Sequence, residues 1–267
     1  MNQGIVLVGC GKMGKALLTG WLRRGIAAAD IVVVEPAPVS DLPAGIRQFA
    51  EPSAIPATIR PGIVMLAVKP QVMDQVAPAY APYAAQGACI LSIAAGKTIA
   101  ALDRLLGGKA AIVRSMPNTP AAVGAGITVA CANAEVKAGQ RATCTALLEA
   151  VGEVGWVEDE ALIDAVTAVS GSGPAYVFWL TECLAAAGEK AGLDAALAAR
   201  LARATVTGAG ELMRQSAESP AQLRKNVTSP NGTTQAALDV LMAPDGLGPL
   251  MERAVAAAAR RSRELAG

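Results

Sequence analysis

Ile5-Val6-Leu7-Val8-Gly9-Cys10-Gly11-Lys12-Met13-Gly14 decides the architecture of the first half of this chain. Four consecutive apolar residues make a buried strand, and glycines at the spacing G-x-G-x-x-G stop it sharply before a helix. Gly9 makes the tight turn, Gly11 lets the backbone approach a pyrophosphate, and Gly14 permits close packing of helix on strand. Free N–H groups at the helix start then face the anion. The whole loop, with Cys10, Lys12 and Met13, is therefore expected to line a dinucleotide. Strand and helix flanks, and a second strand ending in an acid, set it apart from an ordinary glycine-rich turn. That acid is Glu35, 21 positions beyond Gly14. A carboxylate there bonds both ribose hydroxyls of NAD and repels the 2′-phosphate of NADP; its other reading is a solvated charge at a strand end. The cofactor expected is NADH or NADPH, with NADH favoured because of Glu35.

Outward from this loop, short β-type runs alternate with helical segments, the pattern of a parallel sheet wrapped by helices. Strands are expected at 5–8, 31–34, 63–68, 89–93, 111–114, 127–130 and 154–157, with helices at 13–23, 71–80, 99–105 and 136–150. Several strands are continuous apolar runs, as strands covered on both faces should be. Beyond Glu158 the β signal ends. Helices are expected at 161–191, 194–215, 234–242 and 249–265, with turns at Gly192, Ser219-Pro220 and 229–232. The fold expected is thus an α/β Rossmann-type N-terminal domain, residues 1–158, followed by an all-α C-terminal domain, residues 159–267. The long helices are apolar on more than one face, which points to a homodimer or larger homo-oligomer through the C-terminal helices.

The composition narrows the chemistry. With 23 Lys plus Arg against 22 Asp plus Glu, no general field draws in nucleic acid or an acidic membrane. Only two Phe, three Trp and three Tyr are present, too few for a platform on which bases stack. Small-molecule chemistry is the expectation. There is no histidine, which removes Ser-His-Asp and Cys-His catalysis and any His-ligated metal; no metal site is expected. Five scattered cysteines without a C-x-x-C pair read as reduced thiols of a cytoplasmic protein. Neither a signal peptide nor a membrane span is expected. Ala94-Ala95-Gly96-Lys97-Thr98 looks like the end of a P-loop, but Leu91 stands where the first glycine is required.

Four more stretches carry a family resemblance: Ala67-Val68-Lys69-Pro70, Met116-Pro117-Asn118-Thr119-Pro120, Ser170-Gly171-Ser172-Gly173-Pro174-Ala175-Tyr176 and Val227-Thr228-Ser229-Pro230-Asn231-Gly232-Thr233-Thr234. In this order, and with the glycine loop, they resemble the motifs of pyrroline-5-carboxylate reductases. The resemblance implies reduction of 1-pyrroline-5-carboxylate to L-proline with NADH or NADPH, by a homo-oligomer. Three positions depart from the family pattern. Asn231 replaces a glycine, Lys225 stands where an Asp is common, and Ser53-Ala54 lies where many members carry an Asn.

Read physically, Lys69-Pro70 closes a central strand at its carboxyl edge, where ligands of open α/β sheets bind. Proline fixes the turn, so the Ala67 and Val68 backbone and the Lys69 side chain can border the nicotinamide half; a rigid loop with a surface lysine is the plainer reading. Asn118, between Pro117 and Pro120, is either a cofactor contact or an Asx-type turn. Ser172 sits where two glycines and a proline interrupt an apolar helix, permitting close approach of a ligand or a packed helix. Glu160 lies where the resemblance places an acid near the substrate, and equally suits a helix N-terminal charge. The turn 229–232 opens a helix whose N-terminus and two hydroxyls suit a substrate carboxylate, against ordinary capping. By resemblance Gly232 and Thr233 cradle the carboxylate, and Thr234 faces the ring nitrogen as the catalytic residue. An iminium carbon is electrophilic, so positioning is the main requirement and no histidine acid is needed. The rivals are an imine reductase, a β-hydroxyacid-dehydrogenase-like oxidoreductase, and a non-enzymatic dinucleotide-binding regulator. The hydroxyacid reading wants an early lysine base, and 161–191 offers only Lys190.

Overall fold

The computed structural model describes residues 4–266. Eight strands form one sheet: β1 (Gly4–Val8), β2 (Ile31–Val34), β3 (Arg47–Phe49), β4 (Pro61–Leu66), β5 (Cys89–Ser92), β6 (Ile112–Met116), β7 (Gly126–Ala132) and β8 (Gly152–Trp156), in the order β3-β2-β1-β4-β5-β6-β7-β8. All neighbours are parallel except β6 and β7, which pair antiparallel, Arg114 opposite Cys131. Chain order turns back at β1, between β2 and β4, and an open sheet binds its ligand at such a switch point.

Strand alternation divides the core into two layers. Ile5 and Leu7 point to one face, where Leu17 and Trp21 of α1 (Lys12–Arg23) join Leu147 and Leu148 near the end of the helix 138–149. Val6 and Val8 point to the other, against Met73, Ala77, Tyr80 and Leu102. The Trp21 indole N–H donates to the Leu147 carbonyl at 2.9 Å. A Cβ at Gly20 would lie 2.6 Å from the Ala150 carbonyl oxygen, so glycine sets how closely α1 passes that chain.

The remaining helices are α2 (Met73–Val76), α3 (Ala81–Ala85), α4 (Ile99–Leu105), α5 (Ala138–Glu149), α6 (Leu162–Val166), α7 (Gly173–Lys190), α8 (Ala195–Gln215), α9 (Pro220–Asn226), α10 (Thr233–Leu241) and α11 (Leu247–Ala266). Four expectations need correction. The helix expected over 71–80 is a chain of short 3-10 and α turns, because Pro78 donates no N–H. The single helix expected over 161–191 is α6, a π-helical turn (Thr167–Gly171) and α7. Inside that turn the Thr167 and Ser170 hydroxyls bond the carbonyls of Ile163 and Val166, four residues back. Ser219-Pro220 is not a plain turn: Ser219 caps α9, its Oγ accepting from Gln222 N. Finally, β3 carried no expectation, and the sheet is mixed rather than wholly parallel.

The chain forms two compact units, one running up to Gly171 and including the stretch from Ala258, the other spanning Ser172–Ala257. By contacts the division falls at 171/172, because α6 and its π turn pack with the sheet: a Cβ at Gly171 would meet the Met116 side chain at 2.5 Å. The late helical stretch belongs there too, since the Ser262 hydroxyl donates to Asp164 at 2.6 Å and the Leu265 backbone lies against Gly96. In the second unit α7 and α8 pack against each other across the turn 191–194, and Gly188 lets Ala198 approach. Phe178, Trp179, Leu184, Leu201, Leu212 and Val240 are all exposed in the single chain. No helix among the described residues is long and apolar enough to cross a membrane.

Candidate active site

The turn after β1 is built as its glycines require. Gly9 has φ +90°, a conformation open to glycine, and a Cβ there would lie 2.9 Å from the Ala67 carbonyl oxygen. A Cβ at Gly14 would overlap the Gly9 carbonyl oxygen, whereas nothing lies within 4 Å of one at Gly11. The two flanking glycines close the turn, and the middle one leaves room for a ligand. Gly11 is the N-cap of α1 and supplies no side-chain cap, and no acid lies in the first turn, so the first N–H groups are left for an anion. Cys10 is buried toward the core, and Lys12 and Met13 begin the helix. Burial pushes the Cys10 thiol above its ordinary range; Lys15 acts to lower it, and the Glu35 and Asp41 carboxylates raise it further. Cys10 therefore stays neutral where an anion is to be received.

Glu35 follows β2 and turns toward this loop, one carboxylate oxygen accepting from the Cys10 N–H at 2.9 Å. Its backbone N–H donates to Phe49 on β3 at 3.0 Å. Beside it opens a cleft of about 540 Å3 lined by Gly9, Gly11, Glu35, Ala67, Val68 and Lys69. Pro70 lies just outside, opening the 3-10 turn Pro70–Val72 at the edge of β4. These groups fit a dinucleotide: a glycine cradle, uncapped N–H groups and an acid at the end of β2 meet at one cleft.

Asn118 is not part of that cleft, and it makes no Asx turn. Its Oδ1 accepts from the Ile127 N–H at 3.0 Å, strapping the turn Thr119–Val123 to β7. Glu160 is committed elsewhere as well. One oxygen accepts from Arg114 at 2.7 Å and from the Ile99 N–H, the first residue of α4, at 2.8 Å. It is thus a helix N-terminal charge, but for α4 and not for the helix that follows it. Arg114 lies on β6 with its side chain 4% exposed, against 28% for Glu160. Lys97 pairs with Asp74 at 2.8 Å, and Thr98 caps α4, so this stretch builds a helix start rather than a phosphate loop.

In the second unit, Ser172 precedes α7 without making a capping bond. The turn 229–232 closes with the Gly232 N–H donating to the Ser229 carbonyl at 3.0 Å. Asn231 takes φ +58°, the left-handed conformation that asparagine tolerates in a glycine's place. A Cβ at Gly232 would overlap the Ser229 hydroxyl oxygen. Gly232 is also the N-cap of α10 and offers no side-chain acceptor, so the first-turn N–H groups of Thr233 and Thr234 lack a side-chain cap. Thr234 is half-buried, and its hydroxyl makes no hydrogen bond among the described residues.

Two residues near these sites carried no sequence signal. Arg114 reads as one more residue of a strand, and only a charge inside an apolar run hints at a buried partner. Tyr80 lines the cleft, is 1% exposed, and has a hydroxyl with no partner among the described residues. Burial pushes that phenol well above its ordinary range, with Tyr83 adding to the shift.

Residues 160–265 match the family model for pyrroline-5-carboxylate reductase dimerisation, and residues 4–96 match that for NADP oxidoreductase, coenzyme F420-dependent. The pyrroline-5-carboxylate reductase of Pseudomonas aeruginosa is 44% identical, the alignment covering 98% of this chain and 96% of that protein. The enzyme of that name from Synechocystis is 42% identical, with 99% of each covered. Among solved structures, a pyrroline-5-carboxylate reductase from Coxiella burnetii superposes with a TM-score of 0.93 at 33% identity over the full length of both chains. The Plasmodium falciparum pyrroline carboxylate reductase with NADP bound gives 0.83 at 28% identity, covering 100% of this chain and 99% of that one.

Proposed function

The chain belongs to the pyrroline-5-carboxylate reductase family, and from that premise we propose that it reduces 1-pyrroline-5-carboxylate to L-proline with NADH as its preferred cofactor. It is an oxidoreductase acting on a CH–NH bond. The observation that carries the substrate assignment is the start of α10, where a glycine N-cap leaves the first N–H groups uncapped beside two threonine hydroxyls. A helix N-terminus of this kind holds a carboxylate. Gly232 and Thr233 receive the substrate carboxylate, and the Thr234 hydroxyl hydrogen-bonds the ring nitrogen, with water as the ultimate proton source. Ser172 borders the substrate as a small residue at a helix start. A bound nicotinamide supplies the hydride for the C=N bond. The loop from Gly9 to Gly14 holds the pyrophosphate, Glu35 the adenosine ribose, and Ala67, Val68, Lys69 and Pro70 border the nicotinamide half. Glu160 and Asn118 act within the first unit, Glu160 holding Arg114 and the start of α4 and Asn118 strapping the turn before β7.

NADH preference rests on Glu35. Pro36-Ala37-Pro38 brings no cation to it, so a 2′-phosphate meets a carboxylate, a like-charge contact costing more than ~1 kcal/mol. A cost of ~1 kcal/mol is about fivefold in kcat/KM and ~1.4 kcal/mol about tenfold, so a preference of at least about fivefold is expected. Turnover of pyrroline-5-carboxylate measured with NADH and then with NADPH tests both halves of the reading. Absence of turnover with either sinks the function; preference for NADPH sinks the role of Glu35, and Glu35→Ser with Ala37→Arg should narrow or reverse the ratio. We further infer a cytoplasmic homo-oligomer assembled through the exposed apolar helices of the second unit.

A further inference from the structure

The loop 35–39 that carries Glu35 is held by a single side chain from the edge strand. The Gln48 amide nitrogen donates to the Glu35 carbonyl at 2.9 Å and to the Ala37 carbonyl at 2.8 Å, while its oxygen accepts from the Val39 N–H at 3.1 Å. We propose that Gln48 on β3 is the positioning residue for cofactor choice, locking the loop 35–39 so that a carboxylate, and no backbone donor, meets the 2′ position of the adenosine ribose. This rests on the reading of Glu35 given above.

Backbone recognition of a phosphate needs N–H groups that converge on it. Between positions 35 and 39 two residues are proline and donate nothing. The Glu35 N–H is bound to Phe49, and the Val39 N–H is bound to Gln48. Only the Ala37 N–H remains. Gln48 thus removes a donor and, by holding two carbonyls, fixes the loop in a form unable to wrap an anion. One of these two bonds holds the Glu35 carbonyl and the other the Ala37 carbonyl two residues on, while the Glu35 carboxylate is anchored separately on Cys10. A fixed carboxylate binds two ribose hydroxyls without an ordering penalty, which is the advantage of preorganisation.

Gln48→Met keeps the length of the side chain and deletes all three hydrogen bonds. Kd for NADH and for NADPH, measured calorimetrically on the whole protein, and kcat at saturating NADH are the readouts. NADH binding should weaken about fivefold, the equivalent of one net hydrogen bond. NADPH binding should stay within roughly twofold and kcat unchanged, so that the preference narrows. Gln48→Thr, which suits a strand but is too short to reach the loop, should narrow it equally and serves if the first variant folds poorly. Equal weakening toward both cofactors would make Gln48 a merely structural residue and overturn the proposal alone. A wild-type protein binding both cofactors equally would overturn the reading of Glu35, and this proposal with it.

Discussion

Replacing Glu160 by Ala should destabilise the protein while leaving its affinity for substrate nearly intact. Two contacts converge on one oxygen, the Arg114 guanidinium at 2.7 Å and the Ile99 N–H at 2.8 Å. Losing the acid strands a guanidinium that is only 4% exposed, and removing one member of a buried ion pair costs about 3–5 kcal/mol. Water reaches Glu160 itself, which is 28% exposed, so the low end applies, about 3 kcal/mol, of which roughly 1 kcal/mol is the lost contact at the start of α4. Glu160→Gln keeps an acceptor for both donors and loses only the charge, so about 1 kcal/mol is expected. Arg114→Met in the Glu160→Ala background should recover about 2 kcal/mol, because the stranded charge is then gone. Urea unfolding at fixed protein concentration measures all four proteins, with KM for pyrroline-5-carboxylate taken alongside. A Glu160→Ala protein of wild-type stability and tenfold higher KM would refute the reasoning, making the acid a substrate contact.

Thr234→Ala should lower kcat/KM about tenfold, the worth of one hydrogen bond made to the reacting group, while Kd for NADH measured calorimetrically stays unchanged; wild-type kcat/KM would leave Thr234 an ordinary helix residue. Tyr80→Phe removes a buried hydroxyl that has no partner among the described residues and should raise stability by about 1 kcal/mol, read as a higher urea midpoint at constant slope. A lower midpoint would mean that the hydroxyl is bonded in solution. The whole protein should sediment at no less than twice its 26.9 kDa chain mass at micromolar concentration, and a single-chain mass would leave the exposed Phe178 and Trp179 unexplained.

Strands were legible where both faces are covered. In β1 and β2 every residue must be apolar, and the runs Ile5-Val6-Leu7-Val8 and Ile31-Val32-Val33-Val34 leave no alternative. Arg47-Gln48-Phe49 was not legible because a three-residue edge strand needs no such run and is paired on one side only. Helix periodicity also survives breaks that hydrogen bonding does not tolerate, which is why 71–80 reads as one helix although Pro78 divides it. The glycine loop and Glu35 were legible at the cleft because their spacing along the chain is itself the geometry of a turn and the strand that follows. Glu160 and Asn118 were not, since their partners lie 46 and 9 residues away and no local pattern links them.

The attachment of residues 258–266 to the sheet-bearing unit has a consequence for biosynthesis. Ribosomes deliver the chain in order, so the eight strands emerge long before Ser262, and the whole of the second unit emerges between them. Until Ser262 and Leu265 arrive, Asp164 lacks its hydroxyl donor and the loop at Gly96 lacks the backbone that packs on it. The sheet can therefore form during translation, but its carboxyl edge between Gly96 and Asp164 closes only after the second unit has been made. A nascent chain halted before residue 258 should present that edge to proteases, and one extended past it should not.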